Sequence, residues 1–224
     1  MKLVIGNKVY SSWSMRPWLV LKAFGIPFAE SVVPLRAANT RDLILPHSPS
    51  GKVPVLIDGD VTVWESLSVI EYLADKFPDH AIWPRDLKAR AHARCISTEM
   101  HAGFMELRKA CSMDVTKTFA ARPRSASVMA DVARIEAIFT EARVKFAGNR
   151  PFLYGGFTAA DAMYAPVLTR LRTYAIPVDA ATRTYMDAVL GHPAYHEWVA
   201  GAVTEPWRID NGDAEETLIK DLRV

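Results

Sequence analysis

Cysteine is scarce in this chain, with two residues among 224. Cys95 and Cys111 form no Cys-X-X-Cys pair and are too few to crosslink a chain of this length, which excludes a disulfide-rich secreted fold. No apolar run approaches the roughly 20 residues that a membrane-spanning helix needs. The apolar stretch at the start ends by Asn7 and Lys8 and is too short for a signal peptide. These absences predict a soluble, cytoplasmic protein with no membrane partner.

An excess of charge of one sign is also missing. The chain has 27 Lys and Arg against 25 Asp and Glu, for a net charge of +2, and the basic residues are scattered. Nucleic-acid binding needs a basic face, so we expect no nucleic-acid partner. His192 and His196 stand four apart, but two imidazoles with no third ligand do not make a metal site. We therefore predict no metal.

What the chain has in quantity is apolar residues, which make up 50% and are enough for a sizeable core. Strand patterns cover 2–6, 28–34, 53–57 and 61–64, and helical patterns cover 18–24, 37–45 and 66–77. Asp58-Gly59-Asp60 is typical of a hairpin turn, and the first βαβ crossover should be right-handed. The order βαβ-α-ββα predicts a small α/β domain over residues 1–80.

Beyond Asp86 no strand pattern recurs. Helical patterns cover about 86–113, 124–147, 158–175, 181–190 and 193–202. Thr158 and Asp161 fit a capping box at the start of one of these helices. We therefore predict a linker over 81–86 and an all-helical domain over 87–224.

Three segments of the first domain resemble one family when taken in order. They are Ser-Ser-Trp-Ser-Met-Arg at 11–16, Lys-Val-Pro-Val-Leu at 52–56 and Glu65-Ser66. They resemble the glutathione S-transferase family and are most similar to its serine-type zeta and tau classes. The capping box at 158–161 extends the resemblance over essentially the whole chain. It implies a thioredoxin-like first domain, a helical second domain and a homodimer.

The resemblance places Ser11 on the family's catalytic serine. A hydroxyl at the N-terminus of a helix can donate a hydrogen bond to a sulfur anion, and the helix dipole favours that charge. Ser11 would thus hold the glutathione thiolate, whereas Ser12 and Ser14 more simply cap backbone N–H groups. Pro17 departs from the family pattern and must sit in the first turn or distort the helix.

The same resemblance implies a clamp for the glutathione peptide. Val53, before a cis Pro54, would pair with the cysteinyl backbone as an added strand does. Ser66 at the start of a helix suits the γ-glutamyl carboxylate, and Glu65 suits the ammonium. Lys52 would neutralise the glycyl carboxylate.

The second domain would supply the pocket for the other substrate, which we expect to be lined by Trp13, Met105, Arg170 and Arg172. The leading function is a detoxifying glutathione transferase, in which the thiolate attacks a small electrophile. One alternative is a zeta-like cis-trans isomerase of an unsaturated diacid, although Trp13 replaces the cysteine of that pattern. Another is a glutathione-binding protein without turnover, because fold does not guarantee function. Thiol-disulfide exchange is disfavoured because no cysteine stands at this turn.

Overall fold

A mixed sheet of four strands forms the first part of the chain. The computed structural model describes residues 1–223. In the sheet, β1 (Lys2–Gly6) pairs in parallel with β2 (Ala29–Val33) and antiparallel with β3 (Val55–Asp58), which continues into β4 (Val61–Trp64). The strand order is β2-β1-β3-β4. Three helices complete this part: α1 (Ser12–Ala23), α2 (Thr40–Ile44) and α3 (Ser66–Lys76).

The local signals that predicted these elements account for them physically. The apolar run of β1 is buried because the strand lies inside the sheet with a partner on each side. Gly59 has a φ of 62°, which a glycine adopts without a steric penalty, and this permits the two-residue turn between β3 and β4. The peptide bond between Val53 and Pro54 is cis. The predicted thioredoxin-like arrangement is confirmed.

Helices dominate the rest of the chain, as predicted. They are α4 (Leu87–Ala102), α5 (Met105–Ala110), α6 (Ala126–Ala142) with a π-helical turn at Arg143–Ala147, α7 (Ala159–Thr173), α8 (Ala180–Leu190) and α9 (Pro193–Val203). The pattern over 86–113 is two helices rather than one, because Phe104 adopts a left-handed φ of 57° after Gly103 and ends the helical path. No helix within residues 1–223 is long and apolar enough to span a bilayer.

The prediction that no strand follows Asp86 is wrong. β5 (Lys117–Phe119) pairs antiparallel with β6 (Leu218–Asp221), which follows a short 3₁₀ turn at Asp213–Glu215. These strands have three and four residues, and β6 is largely exposed. Segments this short carry too few alternations to be recognised from periodicity. Their pairing brings the segment 206–223 back across the molecule.

The sheet part and the helical part meet along α1 and α7. Every residue of α7 except Arg172 is buried. Arg16 of α1 donates from Nε to the Met163 carbonyl at 3.2 Å, and both residues are buried. Asp161 accepts the Thr158 N–H at 2.8 Å, so the predicted capping box is present at the start of α7. The start of α7, the helix that α1 contacts, is therefore fixed by the Asp161 side chain.

Candidate active site

The turn between β1 and α1 joins two of its three serines, Ser11 and Ser14, in one hydrogen-bond chain. Ser11 caps α1 by accepting the Ser14 N–H at 3.4 Å, and its hydroxyl donates to Ser14 Oγ at 2.7 Å. Ser14 Oγ in turn accepts the Gly6 N–H at 3.1 Å. Ser11 is 5% exposed. The helix cap expected from Ser12 or Ser14 is thus supplied by Ser11.

A cavity of about 370 Å³, called here the Pro54 cavity, opens beside this turn. Its wall from the first part of the chain contains four residues predicted for the peptide clamp. From the second part, α4 and α5 contribute the opposite wall. The lining residues are Trp13, Lys52, Val53, Pro54, Glu65, His101, Ala102, Met105 and Arg108.

Glu65 lines this cavity, and Ser66 follows it in the chain without lining the cavity. Glu65 has a φ of 70°, a left-handed conformation that costs a non-glycine residue about 1–3 kcal/mol and is often found at binding sites. Ser66 opens α3 and is fully buried, and within residues 1–223 its hydroxyl has no hydrogen-bond partner. A buried hydroxyl without a partner is uncommon, and a bound ligand group or an ordered water can satisfy it.

A second cavity of about 500 Å³, called here the Tyr10 cavity, adjoins the first, since Trp13, Met105 and Arg108 line both. Its remaining polar lining includes a tyrosine, two serines, an asparagine and three further cations, and its apolar lining comes from several segments. Among the residues described, no acidic side chain lines it. The other lining residues are Tyr10, Ser12, Leu35, Arg36, Lys109, Ser112, Met113, Arg170, Ile209 and Asn211.

Three guanidinium groups surround the junction of the two cavities. Arg16 and Arg108 lie 4.1 and 4.7 Å from the Trp13 ring centre. Burial, with the charges of Arg170 and Arg108, lowers the pKa of Arg16 well below its usual value. Burial and Arg108 lower the pKa of Arg170 to about 10. Cations that lower each other's pKa in this way create a positive potential suited to an anion.

His101 adds a neutral group to the same junction. Its ring meets the Trp13 ring edge-on at 5.0 Å between centroids. Burial and the charge of Arg16 lower the pKa of His101, which favours the uncharged imidazole at neutral pH. The junction therefore keeps its positive charge on the arginines.

Two family models match the chain in the order in which its two parts occur. The model of the glutathione S-transferase N-terminal domain matches residues 10–76, and the model of the C-terminal domain matches residues 119–201. The chain belongs to the glutathione S-transferase family. The N-terminal match contains the serine turn and the Pro54 wall, and the C-terminal match contains α7 with Arg170.

Relatives within this family carry more than one activity in their names. A probable maleylacetoacetate isomerase of Caenorhabditis elegans is 36% identical over 97 residues, which are 43% of this chain and 44% of that protein. Glutathione S-transferase theta-3 of Mus musculus is 26% identical over 86% of this chain and 87% of the mouse protein. The matches to the first curated relatives thus span less than half of their length.

Solved structures of the family share the fold over nearly the whole chain. A glutathione transferase homolog from Burkholderia GL BGR1 with bound glutathione superposes with a TM-score of 0.69 and 23% identity, over 90% of this chain and 97% of that one. A zeta-class bacterial maleyl pyruvate isomerase gives 0.66 and 21%, over 93% and 100%. At this identity the likeness establishes the fold alone.

The fold brings most of the predicted site residues together. Lys52, Val53, Pro54 and Glu65 line the Pro54 cavity, Arg170 lines the Tyr10 cavity, and Trp13 and Met105 line both. Ser11, Ser66 and Arg172 line neither cavity. The Nη2 of Arg172 donates to the Val115 carbonyl at 3.0 Å, and its guanidinium lies 5.6 Å from the Tyr195 ring centre.

The sequence did not indicate several of the residues that line the two cavities. No predicted motif contains Tyr10, Arg108 or His101. Asn211 lies beyond the last predicted helix, in a segment for which no element was predicted. Tyr10 had one available signal, its position immediately before Ser11. The others are brought to the site only by tertiary packing.

Proposed function

We propose that this chain binds glutathione in the Pro54 cavity and activates its thiol for attack on an electrophile held in the Tyr10 cavity. The observation that carries the proposal is the junction at Trp13, where a wall suited to an extended peptide meets a second cavity through a cluster of arginines that have no acidic partner within residues 1–223. In the transfer, sulfur forms a bond to the electrophilic carbon, and the leaving group departs with its bonding electron pair.

The proposed clamp uses backbone and side chains of the Pro54 wall. Val53 pairs through its backbone with the cysteinyl unit, and Pro54 shapes the wall beside it. The Ser66 hydroxyl and the N–H groups at the start of α3 hold the γ-glutamyl carboxylate, because a helix N-terminus favours negative charge. Glu65 binds the ammonium, and Lys52 lies within reach of the glycyl carboxylate. The unpartnered Ser66 hydroxyl supports this assignment.

Ser11 is the proposed donor to the thiolate. Ser14 Oγ already accepts the Gly6 N–H, so its own hydrogen can turn towards Ser11 Oγ. With that bond reversed, the Ser11 hydrogen is released for the sulfur, and two hydroxyls in series strengthen the final donor. The nearby charges of Arg16 and Arg108 favour the thiolate further, since cations lower the pKa of a thiol.

A second candidate function is the isomerisation of an unsaturated diacid. It is favoured by the lining of the Tyr10 cavity, which offers Arg36, Arg108, Lys109 and Arg170 and no acid among the residues described. In this reaction the thiolate adds to the conjugated double bond, a single bond rotates, and the thiolate leaves with the bonding pair. A name of the isomerase type among the relatives points in the same direction.

One experiment separates these functions. The purified protein is incubated with glutathione and either an aryl halide or a cis-configured unsaturated keto diacid, and the products are separated by mass and by absorbance. A conjugate of increased mass supports transfer. A trans product of unchanged mass supports isomerisation. If calorimetry shows that glutathione binds but neither product forms, the chain is a glutathione-binding protein without turnover. The absence of binding contradicts the proposal.

Replacing Ser66 with alanine is expected to weaken glutathione binding more than turnover. The γ-glutamyl end lies away from the sulfur, so its contacts are nearly equal in the ground state and the transition state. A hydrogen bond to a charged group contributes about 1.5–3 kcal/mol, so KM for glutathione should rise about tenfold or more. Steady-state kinetics measure the change, with Ser68→Ala in the same helix as the control. A severe fall in kcat at unchanged KM would place Ser66 elsewhere.

We also propose that the chain is a cytoplasmic homodimer that contacts its twofold mate through α3 and α4. An isologous pair is the commonest symmetric assembly. The exposed, unpaired Cys95 fits a reducing compartment. Sedimentation at micromolar concentration should give about twice the chain mass of 24.9 kDa. A mass equal to one chain would contradict the dimer.

A further inference from the structure

The Tyr10 hydroxyl is held by two donors and keeps its own hydrogen. It accepts the Ile209 N–H at 3.0 Å and a hydrogen of Arg223 Nη2 at 3.2 Å. A phenol oxygen has two lone pairs and one hydrogen, so both lone pairs are occupied. Within residues 1–223, no acceptor receives the hydroxyl hydrogen.

This hydroxyl sits on the wall of the Tyr10 cavity. Tyr10 and Ile209 both line that cavity and meet at the hydrogen bond between them. Asn211, two residues further along, lines it too, and its Nδ2 is buried without a partner in the described part of the chain. Two hydrogen-bond donors on one wall are thus unused, in a cavity that the catalytic proposal assigns to the second substrate.

The wall is fixed from several sides. Arg36 donates from Nη1 to the carbonyl of Asp210 at 2.9 Å, and Asp210 stands between Ile209 and Asn211 in the chain. Further along, β6 pairs with β5, and Glu216 accepts from Arg124 Nη1 at 2.7 Å. Donors held in place before the ligand arrives need little reorganisation to stabilise a charge that develops beside them.

We propose that Tyr10, together with Asn211, donates hydrogen bonds to an oxygen of the second substrate, and that this selects conjugated carbonyl compounds over alkyl halides. The inference rests on the proposed function, which brings the thiolate to the adjoining cavity. When sulfur bonds to the β-carbon of such a compound, the π electrons move to the carbonyl oxygen. The Tyr10 O–H then meets an enolate oxygen, and the α-carbon later takes its proton from water.

A simpler role for Tyr10 is to anchor the segment 206–223 alone. In that role the loss of the hydroxyl would affect every ligand of the cavity equally, because only the position of the wall would change. A donor role affects only ligands that carry an oxygen at the right place. The two roles therefore differ in ligand dependence rather than in the size of the effect.

The test compares two glutathione conjugates of matched shape, S-(3-oxobutyl)glutathione and S-butylglutathione, by calorimetry with the full chain. The wild type should prefer the keto conjugate about 3–10-fold, the usual range for one hydrogen bond. Tyr10→Phe should abolish this preference. Because it also removes the acceptor of the Ile209 and Arg223 hydrogen bonds, the butyl conjugate reports any displacement of the wall, and its affinity should stay within about twofold. Asn211→Ala should reduce the preference. Glu216→Gln, which loosens the segment away from the cavity, should retain it.

Three other outcomes would contradict the inference. If Tyr10→Phe weakens both conjugates equally, Tyr10 only anchors the segment and the inference fails. If the wild type binds both conjugates without preference, the inference fails while the glutathione site stands. If the wild type binds neither conjugate nor glutathione, the proposed function fails and the inference falls with it.

Discussion

Replacing Ser11 with alanine is expected to lower kcat about a hundredfold or more while glutathione still binds. The loss of one donor to an anion typically costs about 2–4 kcal/mol in the rate-limiting step. Binding is retained because Val53, Glu65 and Ser66 hold the peptide independently of the sulfur. The pKa of the bound thiol should rise, since its anion loses a hydrogen bond.

The measurement is a titration of thiolate absorbance for glutathione bound to each variant, alongside steady-state kinetics. Ser12→Ala is the matched control because Ser12 is the neighbouring hydroxyl and lines the Tyr10 cavity. It should leave the pKa of the bound thiol in place. Ser11→Ala also removes the cap of α1, which costs about 1 kcal/mol of stability, so its melting curve must be recorded. A raised thiol pKa in Ser12→Ala, with none in Ser11→Ala, would transfer the role to Ser12.

Replacing Asp161 with alanine is expected to reduce the free energy of unfolding by about 4 kcal/mol, because buried donors left unpaired cost about 1–3 kcal/mol each. The carboxylate is fully buried. It accepts the N–H groups of Leu153 at 3.1 Å and Thr158 at 2.8 Å, and the hydroxyls of Thr158 at 2.9 Å and Tyr185 at 3.0 Å. It thus joins the start of α7 to the preceding loop and to α8.

Urea unfolding at pH 7 measures this loss, and Asp187→Ala, in α8 but exposed, is the control. The Asp161→Asn variant keeps the volume and one acceptor oxygen, so its loss should be smaller. A loss below about 1 kcal/mol for Asp161→Ala would show that water replaces the carboxylate, since an unpaired buried donor costs at least that much.

The same residue predicts a pH dependence. Burial raises the pKa of Asp161 from 3.8 to about 6 in the folded state. Between these values the folded protein holds a proton that the unfolded chain has lost, so this group's contribution to stability falls as pH rises from about 4 to about 6 and is constant above. The span corresponds to about 3 kcal/mol. The Asp161→Asn variant lacks this titrating group. The difference in free energy of unfolding between the wild type and this variant should therefore decrease as pH rises through this window.

The parts of the fold that the sequence predicted depend on local signals. The buried run at Lys2–Gly6, the turn at Gly59 and the capping box at Thr158 each follow from a few adjacent residues, and all are present. The break at Phe104 was missed because it depends on one residue in a left-handed conformation that periodicity does not detect. The β5–β6 pair was missed because it joins two very short segments about a hundred positions apart.

The residues of the candidate site likewise include some that short motifs predict and others that only tertiary packing brings together. The residues of the Pro54 wall stand in short motifs, so the resemblance was able to select them. The charges around Trp13 come from α1, α5 and α7, and no motif links Arg16, Arg108 and Arg170. The resemblance selected both Arg170 and Arg172 because both lie where the family's helix approaches the second pocket. Two residues along a helix turn the side chain by about 200°, since the helix has about 3.6 residues per turn.

The Tyr10 cavity joins residues that are synthesised at widely separated times. The residues lining the Pro54 cavity are all made once Arg108 has been added, whereas the Tyr10 cavity also needs Ile209 and Asn211. At a translation rate of about 5–20 residues per second, the second wall follows about 5–20 s later. A nascent chain stalled in that interval holds the residues proposed for glutathione but lacks the wall that separates the second substrate from water. Premature termination after α7 and before Ile209 would therefore leave every residue of the Pro54 cavity in the polypeptide and remove the residues that complete the Tyr10 cavity.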